Sequence, residues 1–212
     1  MNKQSGILIC VSGFAGSGKG TIMKRLMAEH SDVYALSVSA TTRKPRPGEE
    51  EGREYFFKSK EEFLDLIEQG KMLEYANYVG NYYGTPYAYV EEKMSQGYDV
   101  ILEIEPQGAL SVKERYPDTL LLFVMPPDAV TLRNRLTGRG TEDEETILKR
   151  MSQAYTEASV IEKYDYLIIN DDLDRCTQTV HSVIQNEHFR TNRNTEMIRT
   201  IKNDLKMYSK GE

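Results

Sequence analysis

The chain has 212 residues and a formal net charge of −6, which argues against a nucleic-acid-binding protein, because such proteins are basic overall or carry a long basic stripe. Its two cysteines, Cys10 and Cys176, lie far apart without metal-binding spacing, which favours reduced thiols over a disulfide framework. The longest apolar runs, at residues 6–11 and 120–125, are too short to span a membrane, and the polar start does not resemble an export signal, so we expect a cytoplasmic protein that binds neither nucleic acid nor membrane.

The predicted elements start with a short apolar run at residues 7–11, which is typical of a strand buried on both faces of a parallel sheet. An amphipathic helix is expected next, at residues 19–29. Later strands are predicted at residues 34–39, 100–104, 120–124 and 166–169, and later helices at residues 86–96, 108–115, 129–136, 144–162 and 173–189. Strands that alternate with helices predict an α/β fold with a parallel-sheet core flanked by helices.

Two segments interrupt this alternation. Residues 41–84 are rich in glycine, tyrosine, proline and charge, and they contain only a short predicted strand at 54–57 and a helix at 60–68. Residues 137–145 form a shorter polar excursion between two helices. No linker separates independent domains, so we expect a single domain with a core at residues 5–39, 86–136 and 146–190, an inserted subdomain at 40–85, a short lid at 137–145 and a weakly helical tail at 191–212.

A glycine-rich loop joins the first predicted strand to the first helix. Its sequence is Gly13-Phe14-Ala15-Gly16-Ser17-Gly18-Lys19-Gly20-Thr21. Glycines let successive backbone N–H groups point at an anion, the helix N-terminus adds partial positive charge, and Lys19 can follow the β- and γ-phosphates. In this context the loop predicts a binding site for a nucleoside triphosphate, in preference to a simple glycine-rich turn.

One position of this loop departs from the usual pattern. Most such loops have a serine or threonine directly after the lysine to ligate Mg²⁺, whereas this chain has Gly20 there and a hydroxyl one residue later, at Thr21. This variant resembles the loop of nucleoside monophosphate kinases. We therefore expect Mg²⁺ to be held mainly by phosphate oxygens and water, with a contribution from Thr21.

The polar segment at residues 41–57 carries a second signal. Arg43 and Arg46 flank a turn stiffened by proline, and guanidinium groups match phosphate geometry with two parallel hydrogen bonds. Taken alone, such a pair of arginines is more typical of a solvated surface. The whole segment resembles the GMP-binding signature of guanylate kinases, through Thr41, Thr42, Arg43, Arg46, Glu49, Gly52, Tyr55 and Phe57.

The resemblance to guanylate kinases continues in the same order along the chain, through Glu74 and through residues 80–85, 103–108, 135–141 and 170–172. It implies that the phosphate of GMP is held by Arg43, Arg46, Tyr55 and Tyr83, and that the guanine base is read by Ser39, Glu74 and Thr85. It also implies that one of Glu103 and Glu105 lies near the base or ribose of GMP and the other toward the metal, without deciding which. Pro106 departs from the apolar, non-proline residue that is usual at its position.

The reaction implied by this resemblance is ATP-dependent phosphorylation of GMP, and of dGMP, by direct in-line transfer. The acceptor is already anionic, so no strong general base is needed. Charge on the transferring group would be neutralised by Lys19, Arg43, Arg135, Arg139 and Arg150, with Mg²⁺ as the cofactor. Asn170 would contact the adenine of ATP. The expected partners are therefore ATP and GMP alone, for a monomer or a homodimer.

Three other interpretations are less well supported. Non-catalytic modules that resemble guanylate kinases tend to lose the loop lysine and the lid arginines, which this chain retains. A kinase of the same fold that acts on a phosphorylated sugar would have no need for a guanine-reading set. A nucleic-acid-binding protein with a phosphate loop is disfavoured by the acidic charge.

Overall fold

The computed structural model describes residues 5–78, 80–138 and 143–209. Its strands are β1 (Leu8–Gly13), β2 (Tyr34–Leu36), β3 (Ser39–Thr41), β4 (Tyr55–Phe57), β5 (Met72–Tyr78), β6 (Asn81–Pro86), β7 (Asp99–Glu103), β8 (Leu120–Met125) and β9 (Tyr166–Ile169). Its helices are α1 (Lys19–Glu29), α2 (Lys60–Glu68), α3 (Tyr87–Ser95), α4 (Pro106–Arg115), α5 (Ala129–Thr137), α6 (Glu144–Ala158), α7 (Leu173–Glu187) and α8 (Thr195–Ser209).

The core is a five-stranded sheet in the order β2-β7-β1-β8-β9, and every neighbouring pair is parallel. All six residues of β1 are buried, because helices cover both faces of the sheet. Ile9 and Val11 pack toward α1 and α7, whereas Leu8 and Cys10 pack toward α3 and α4, as the two-residue period of a strand requires. The predicted α/β core with a parallel sheet is therefore confirmed.

A second sheet is inserted between β2 and α3. It has the order β4-β3-β6-β5, in which β3 pairs with β4 in parallel and with β6 antiparallel, and β5 pairs antiparallel with β6. The sequence predicted only one short strand here, so the hairpin of β5 and β6 was missed. The single strand predicted at residues 34–39 is also wrong. The backbone N–H of Ser37 makes the last hydrogen bond of this segment to the core sheet, with the carbonyl of Ile101. The chain then enters the second sheet as β3.

Several helix ends differ from the prediction for identifiable reasons. The helix predicted at residues 144–162 ends at Ala158 and is followed by a separate 3₁₀ turn, Ile161–Lys163. The helix predicted to reach residue 189 ends at Glu187. Helix α4 begins earlier than predicted, with Pro106 in its first turn, where the fixed φ of proline is favourable and its missing N–H costs no intrahelical bond. Pro106 is thereby explained as a helix start.

Two further predictions concern the lid and the tail. Of the lid predicted at residues 137–145, residues 139–142 lie outside the described part of the chain. The tail predicted to be weakly helical contains the 15-residue helix α8. Among the helices that the structure describes, none has both the length and the apolar content to cross a membrane.

Candidate active site

The glycine-rich loop lies at the carboxyl edge of the parallel sheet, between β1 and α1, where ligands bind in open α/β sheets. Gly18 immediately precedes α1 and has φ of +90°, in the left-handed region. A Cβ at this position would lie 2.3 Å from Nδ2 of Asn170. Backbone conformation and close packing therefore both require glycine at the start of the helix.

The side chain of Lys19 is folded back over this loop. Its Nζ donates to the backbone carbonyls of Gly13 and Phe14, at 3.3 Å for Phe14. The ammonium group therefore lies above the loop backbone, where it can exchange carbonyl oxygens for phosphate oxygens by a rotation of its own side chain.

Asn170 and Arg135 support the loop from the opposite side. Nδ2 of Asn170, which is 7% exposed, donates to the carbonyl of Ser17 at 2.8 Å. Arg135 donates to the same carbonyl at 3.3 Å and to the carbonyl of Asn170 at 2.8 Å. The side cleft beside these groups measures about 570 Å³ and is lined by Gly16, Gly18, Thr21, Arg135, Gly138, Asn170, Asp171 and Leu173. The predicted contact of Asn170 with adenine stays a prediction, because its amide is already used to hold the loop.

The loop cleft lies on the other side of Lys19. It measures about 590 Å³ and is lined by Gly18, Lys19, Gly20, Thr21, Lys24 and Glu103. A Cβ on Gly20 would be 3.9 Å from Oε1 of Glu103. The Thr21 hydroxyl and the Glu103 carboxylate are hard oxygen donors that suit Mg²⁺, while the described residues contain no cluster of three or more His, Cys, Asp or Glu side chains that could hold a metal ion. This donor set fits an ion held mainly by its ligand's phosphates and by water.

The large cleft, of about 800 Å³, lies between the second sheet and α4. Its lining includes five predicted site residues, namely Ser39, Tyr55, Glu74, Tyr83 and Glu105. Oγ1 of Thr85 donates to Oε1 of Glu74 at 2.8 Å, and Thr85 itself is fully buried. Burial raises the pKa of Glu74, and the hydrogen bonds from Thr85 act in the opposite direction. The pair presents a carboxyl group with one oriented oxygen at the wall of the cleft.

Arg43 lies at one end of this cleft and forms an ion pair with Glu49 through two hydrogen bonds. Its Nη1 and Nη2 donate to the two carboxylate oxygens of Glu49 at 3.0 and 2.9 Å, and its guanidinium carbon lies 5.4 Å from the ring centre of Tyr55. The backbone N–H of Arg46 also donates to Glu49, at 2.7 Å. Arg43 holds the pKa of Glu49 below its usual range. The ring of Tyr83 lies 6.0 Å from that of Tyr55, so the structure brings Arg43, Tyr55 and Tyr83 together, whereas the exposed Arg46 contributes only its backbone N–H to these contacts.

Glu103 and Glu105 point to different clefts although they are only two residues apart. Glu103 ends β7 and lines the loop cleft, whereas Glu105 is the residue before α4 and lines the large cleft. The strand ends between them, so the side chains no longer follow the alternation of a strand. Glu103 therefore lies beside the loop cleft and Glu105 beside the large cleft, and which of them serves GMP and which the metal stays a prediction.

The remaining predicted arginines are less fully described. Arg150 lies on α6, partly exposed, and Arg139 lies outside the described residues. The sequence analysis missed Arg115 and Ser111, which line the large cleft. Arg115 donates to the carbonyl of Met72 at 2.6 Å. Lysine and arginine are common in the last turn of a helix, so nothing in the sequence indicated that Arg115 would line a cleft.

Comparison with known proteins shows similarity to guanylate kinases. The family model described as guanylate kinase matches residues 5–187. The chain is 47% identical over 207 residues to a guanylate kinase of Streptococcus thermophilus, covering 98% of this chain and 99% of that protein. It is 46% identical over 202 residues to one of Caldanaerobacter subterraneus, covering 95% and 98%. Among solved structures, the guanylate kinase of Anaplasma phagocytophilum matches with a TM-score of 0.67 and 31% identity, covering 90% of each chain.

Proposed function

The chain belongs to the guanylate kinase family and is an enzyme that transfers a phosphoryl group from ATP to GMP to give GDP, and we propose that ATP binds at the glycine-rich loop while GMP binds in the large cleft. The single observation that carries this assignment is the Glu74–Thr85 pair in the wall of that cleft. The two substrates would then meet at the carboxyl edge of the parallel sheet, with Lys19 on one side and Glu105 on the other.

The chemistry of guanine supports the placement of the base. Its Watson–Crick edge presents two neighbouring donors, N1–H and the N2 amino group, beside the O6 acceptor. The Glu74 carboxylate can accept from both donors, and the hydroxyl of Ser39 can donate to O6, whereas the single proton of the Thr85 hydroxyl is already donated to Glu74. Adenine would set a lone pair against the carboxylate and leave it unpaired, a mismatch that costs about 10⁴-fold or more in comparable sites.

The phosphate of GMP is assigned to the opposite end of the large cleft. Arg43 is already oriented there by Glu49, and a phosphate can accept from the edges of the guanidinium that Glu49 leaves open. Tyr55 and Tyr83 line the same end of the cleft and would donate from their hydroxyls. Arg46, in the turn closed by Glu49, would supply a second guanidinium.

Transfer would proceed in line, from the phosphate held at the loop to an oxygen of the GMP phosphate. That oxygen is already anionic, so the reaction needs no general base. The chain has to position the two substrates and to supply positive charge. Lys19 would turn from the carbonyls of Gly13 and Phe14 to the β- and γ-phosphates of ATP. Arg135 would act from the side cleft, and Arg139 and Arg150 would join from the lid and its flanking helix, where they exclude water and neutralise charge.

Magnesium is the cofactor that best fits the oxygens around the loop cleft. When bound, Mg²⁺ would offset the negative charge that develops on the phosphates. In this chain the Thr21 hydroxyl and the carboxylate of Glu103 would hold it at the loop cleft. Lys24 lines the same cleft and would limit the local negative charge.

Three further assignments concern dGMP, the oligomeric state and the location of the protein. dGMP should also be a substrate, because the groups proposed to hold the base and the phosphate need no 2′-hydroxyl. A monomer and a homodimer would both be competent, because one chain supplies both clefts. The two cysteines are free and buried, which supports a reducing, cytoplasmic location.

The decisive experiment measures ADP release with ATP and Mg²⁺ in the presence of GMP, dGMP, AMP, CMP and UMP in turn. Activity confined to the two guanine nucleotides is expected. Comparable rates with AMP would overturn the assignment of Glu74 and Thr85 to the base. A titration of GMP into the protein without ATP then tests the large cleft separately, because binding there should not require the donor.

A further inference from the structure

Arg115, in the last turn of α4, lines the large cleft, and the binding of GMP described above does not use it. Its Nη1 donates to the backbone carbonyl of Met72 at 2.6 Å. Met72 is the first residue of β5, the strand that carries Glu74 two residues further on. Arg115 therefore ties α4 to the strand whose glutamate is assigned to the guanine base.

The carbonyl that Arg115 binds lies at the open edge of the second sheet. β5 is the last strand of that sheet, and among the strands that the structure describes only β6 pairs with it. The preceding carbonyl, that of Lys71, accepts from the backbone N–H of Tyr87, which directly follows β6, at 2.9 Å. Successive carbonyls of an extended chain point to opposite sides, so the carbonyl of Met72 points away from β6 and towards α4. Arg115 supplies a donor on the side of β5 that faces no described strand.

The register of β5 shifts between Met72 and Glu74, and the side chains show the effect of this shift. In a regular strand, residues two apart share a face. Met72 lies in the apolar cluster around Phe63, whereas Leu73 lies in the cluster covered by α3 and α4. Glu74 lines the large cleft, and a Cβ on Gly108 of α4 would be 3.7 Å from its Oε2. Glu74 therefore does not share the face of Met72, and it faces α4 as Leu73 does.

We propose that Arg115 is a positioning residue for base recognition, because its hydrogen bond to the carbonyl of Met72 holds the register shift of β5 against α4 and keeps Glu74 directed into the large cleft. A bulge interrupts the ladder of a sheet and re-aims a side chain, so contacts outside the ladder contribute to the direction of that side chain. Thr85 orients the carboxyl group of Glu74 itself, whereas Arg115 acts on the backbone that carries it. This inference rests on the proposed binding of guanine at Glu74.

The test compares full-length wild-type protein with Arg115→Met, Arg115→Lys and the control Lys113→Met. Methionine keeps most of the length of the side chain and removes its donors, whereas lysine keeps a charged donor. Lys113 is a matched control, because it lies in the same turn of α4 and donates to a different main-chain carbonyl, that of Thr119, at 2.6 Å. The dissociation constants of GMP and of ATP with Mg²⁺ are measured separately by calorimetry.

Arg115→Met should weaken GMP binding about five- to tenfold, as expected for loss of a hydrogen bond from a charged donor, and should leave ATP binding unchanged. Arg115→Lys should keep most of the GMP affinity, and Lys113→Met should bind both nucleotides as wild type does. In a Glu74→Ala background, Arg115→Met should change the dissociation constant of GMP by no more than about twofold, because the group that Arg115 positions is then absent.

A second measurement tests the same point without a variant of Glu74. IMP lacks the N2 amino group of GMP, which is one of the two donors that Glu74 is proposed to accept from, so wild type should bind GMP in preference to IMP. Arg115→Met should reduce that preference, whereas Arg115→Lys and Lys113→Met should keep it.

These measurements separate the inference from the proposed function on which it rests. Wild-type protein that fails to bind GMP would overturn the proposed acceptor site and this inference with it. If wild type binds GMP and Arg115→Met binds it equally well, or keeps the full preference for GMP over IMP, only the inference fails. An equal loss of GMP affinity with and without Glu74 would indicate that Arg115 contacts the ligand directly, and equal losses of GMP and ATP affinity would indicate a general structural role. Either result would overturn the positioning of Glu74 by Arg115.

Discussion

Thr85 and Glu74 face each other across the β5–β6 hairpin, and the threonine hydroxyl donates to Oε1 of the glutamate at 2.8 Å. The bond leaves Oε2 of Glu74 on the side of α4, near Gly108. It fixes the direction of a carboxyl group that would otherwise rotate about three side-chain torsions. A single cross-strand contact thus links the carboxyl group proposed to recognise the base to the pairing of two strands.

Replacing Thr85 by valine preserves shape and removes the hydroxyl. We expect the KM for GMP to rise about tenfold, because Glu74 loses its orienting donor, while the KM for ATP stays unchanged. Thr85→Ser, which keeps the hydroxyl, is the matched control and should remain close to wild type. Steady-state kinetics with each substrate varied in turn provide the measurement, and equal KM values for GMP in the two variants would show that the hydroxyl is dispensable.

The ion pair of Arg43 and Glu49 leads to a second prediction. In Arg43→Lys the charge remains, but the planar fork that meets both Glu49 and a phosphate is lost. The KM for GMP should rise about 10- to 100-fold, as expected when charge-assisted hydrogen bonds are removed, with a smaller effect on ATP. Arg53→Lys is a suitable control, because Arg53 pairs with Glu50 and Glu54 at the exposed surface of the same segment. A loss of the same size in both variants would contradict a specific role for Arg43.

Some parts of the candidate site could be predicted from the sequence and others could not. The glycine-rich loop was predictable because its signal is local: a buried strand, glycines and a helix start are consecutive. The β5–β6 hairpin was not, because the buried residues among those described in it are confined to one end, at Met72, Leu73, Gly84 and Thr85, and its mixture of tyrosine, asparagine and glutamate resembles a loop. Similarly, β2 and β3 looked like one strand, since the choice between two sheets depends on partners distant in sequence, which are Ile101 for Ser37, Tyr55 for Ser39 and Gly84 for Ala40.

Long-range geometry also decides where Glu103 and Glu105 lie. The sequence did not say which of them faces which ligand, and the end of β7 at Glu103 directs the two side chains into separate clefts. Local patterns identify the chemistry of a residue, whereas its neighbours are set by the topology of the sheet.

Lys19→Met tests the separation of the two binding sites. The substitution removes the ammonium that would follow the transferring phosphate, and kcat should fall by a factor of about 10³ or more, as for other groups that stabilise charge in a transition state. GMP binding measured by calorimetry should be nearly unchanged, because Lys19 is not part of the large cleft. Lys202→Met, on the exposed face of α8, is the control and should retain full activity. Near-normal turnover by Lys19→Met would exclude this lysine from the mechanism.

The raised pKa of Glu74 predicts a pH dependence of base recognition. Only the ionised carboxylate accepts from both guanine donors, so GMP binding should weaken as pH falls through this raised pKa. Glu74→Gln cannot gain that proton and should lack this part of the pH profile. The measurement is the ratio of GMP dissociation constants for wild type and Glu74→Gln across pH, which cancels the ionisation of the GMP phosphate. A constant ratio would mean that the carboxyl group stays in one protonation state.

Gly20 provides the last prediction, because it is the position at which this loop departs from the common pattern. It lies in the first turn of α1 and a Cβ there meets only Oε1 of Glu103, at 3.9 Å. Gly20→Ala should therefore fold normally and gain up to about 1 kcal/mol of stability from the helix preference of alanine. Gly20→Ser adds a hydroxyl beside Glu103, and half-maximal activity should require less Mg²⁺ than in Gly20→Ala. If the two variants have the same magnesium requirement, the hydroxyl at this position does not reach the ion, and Thr21 with water accounts for the ligation that the chain supplies.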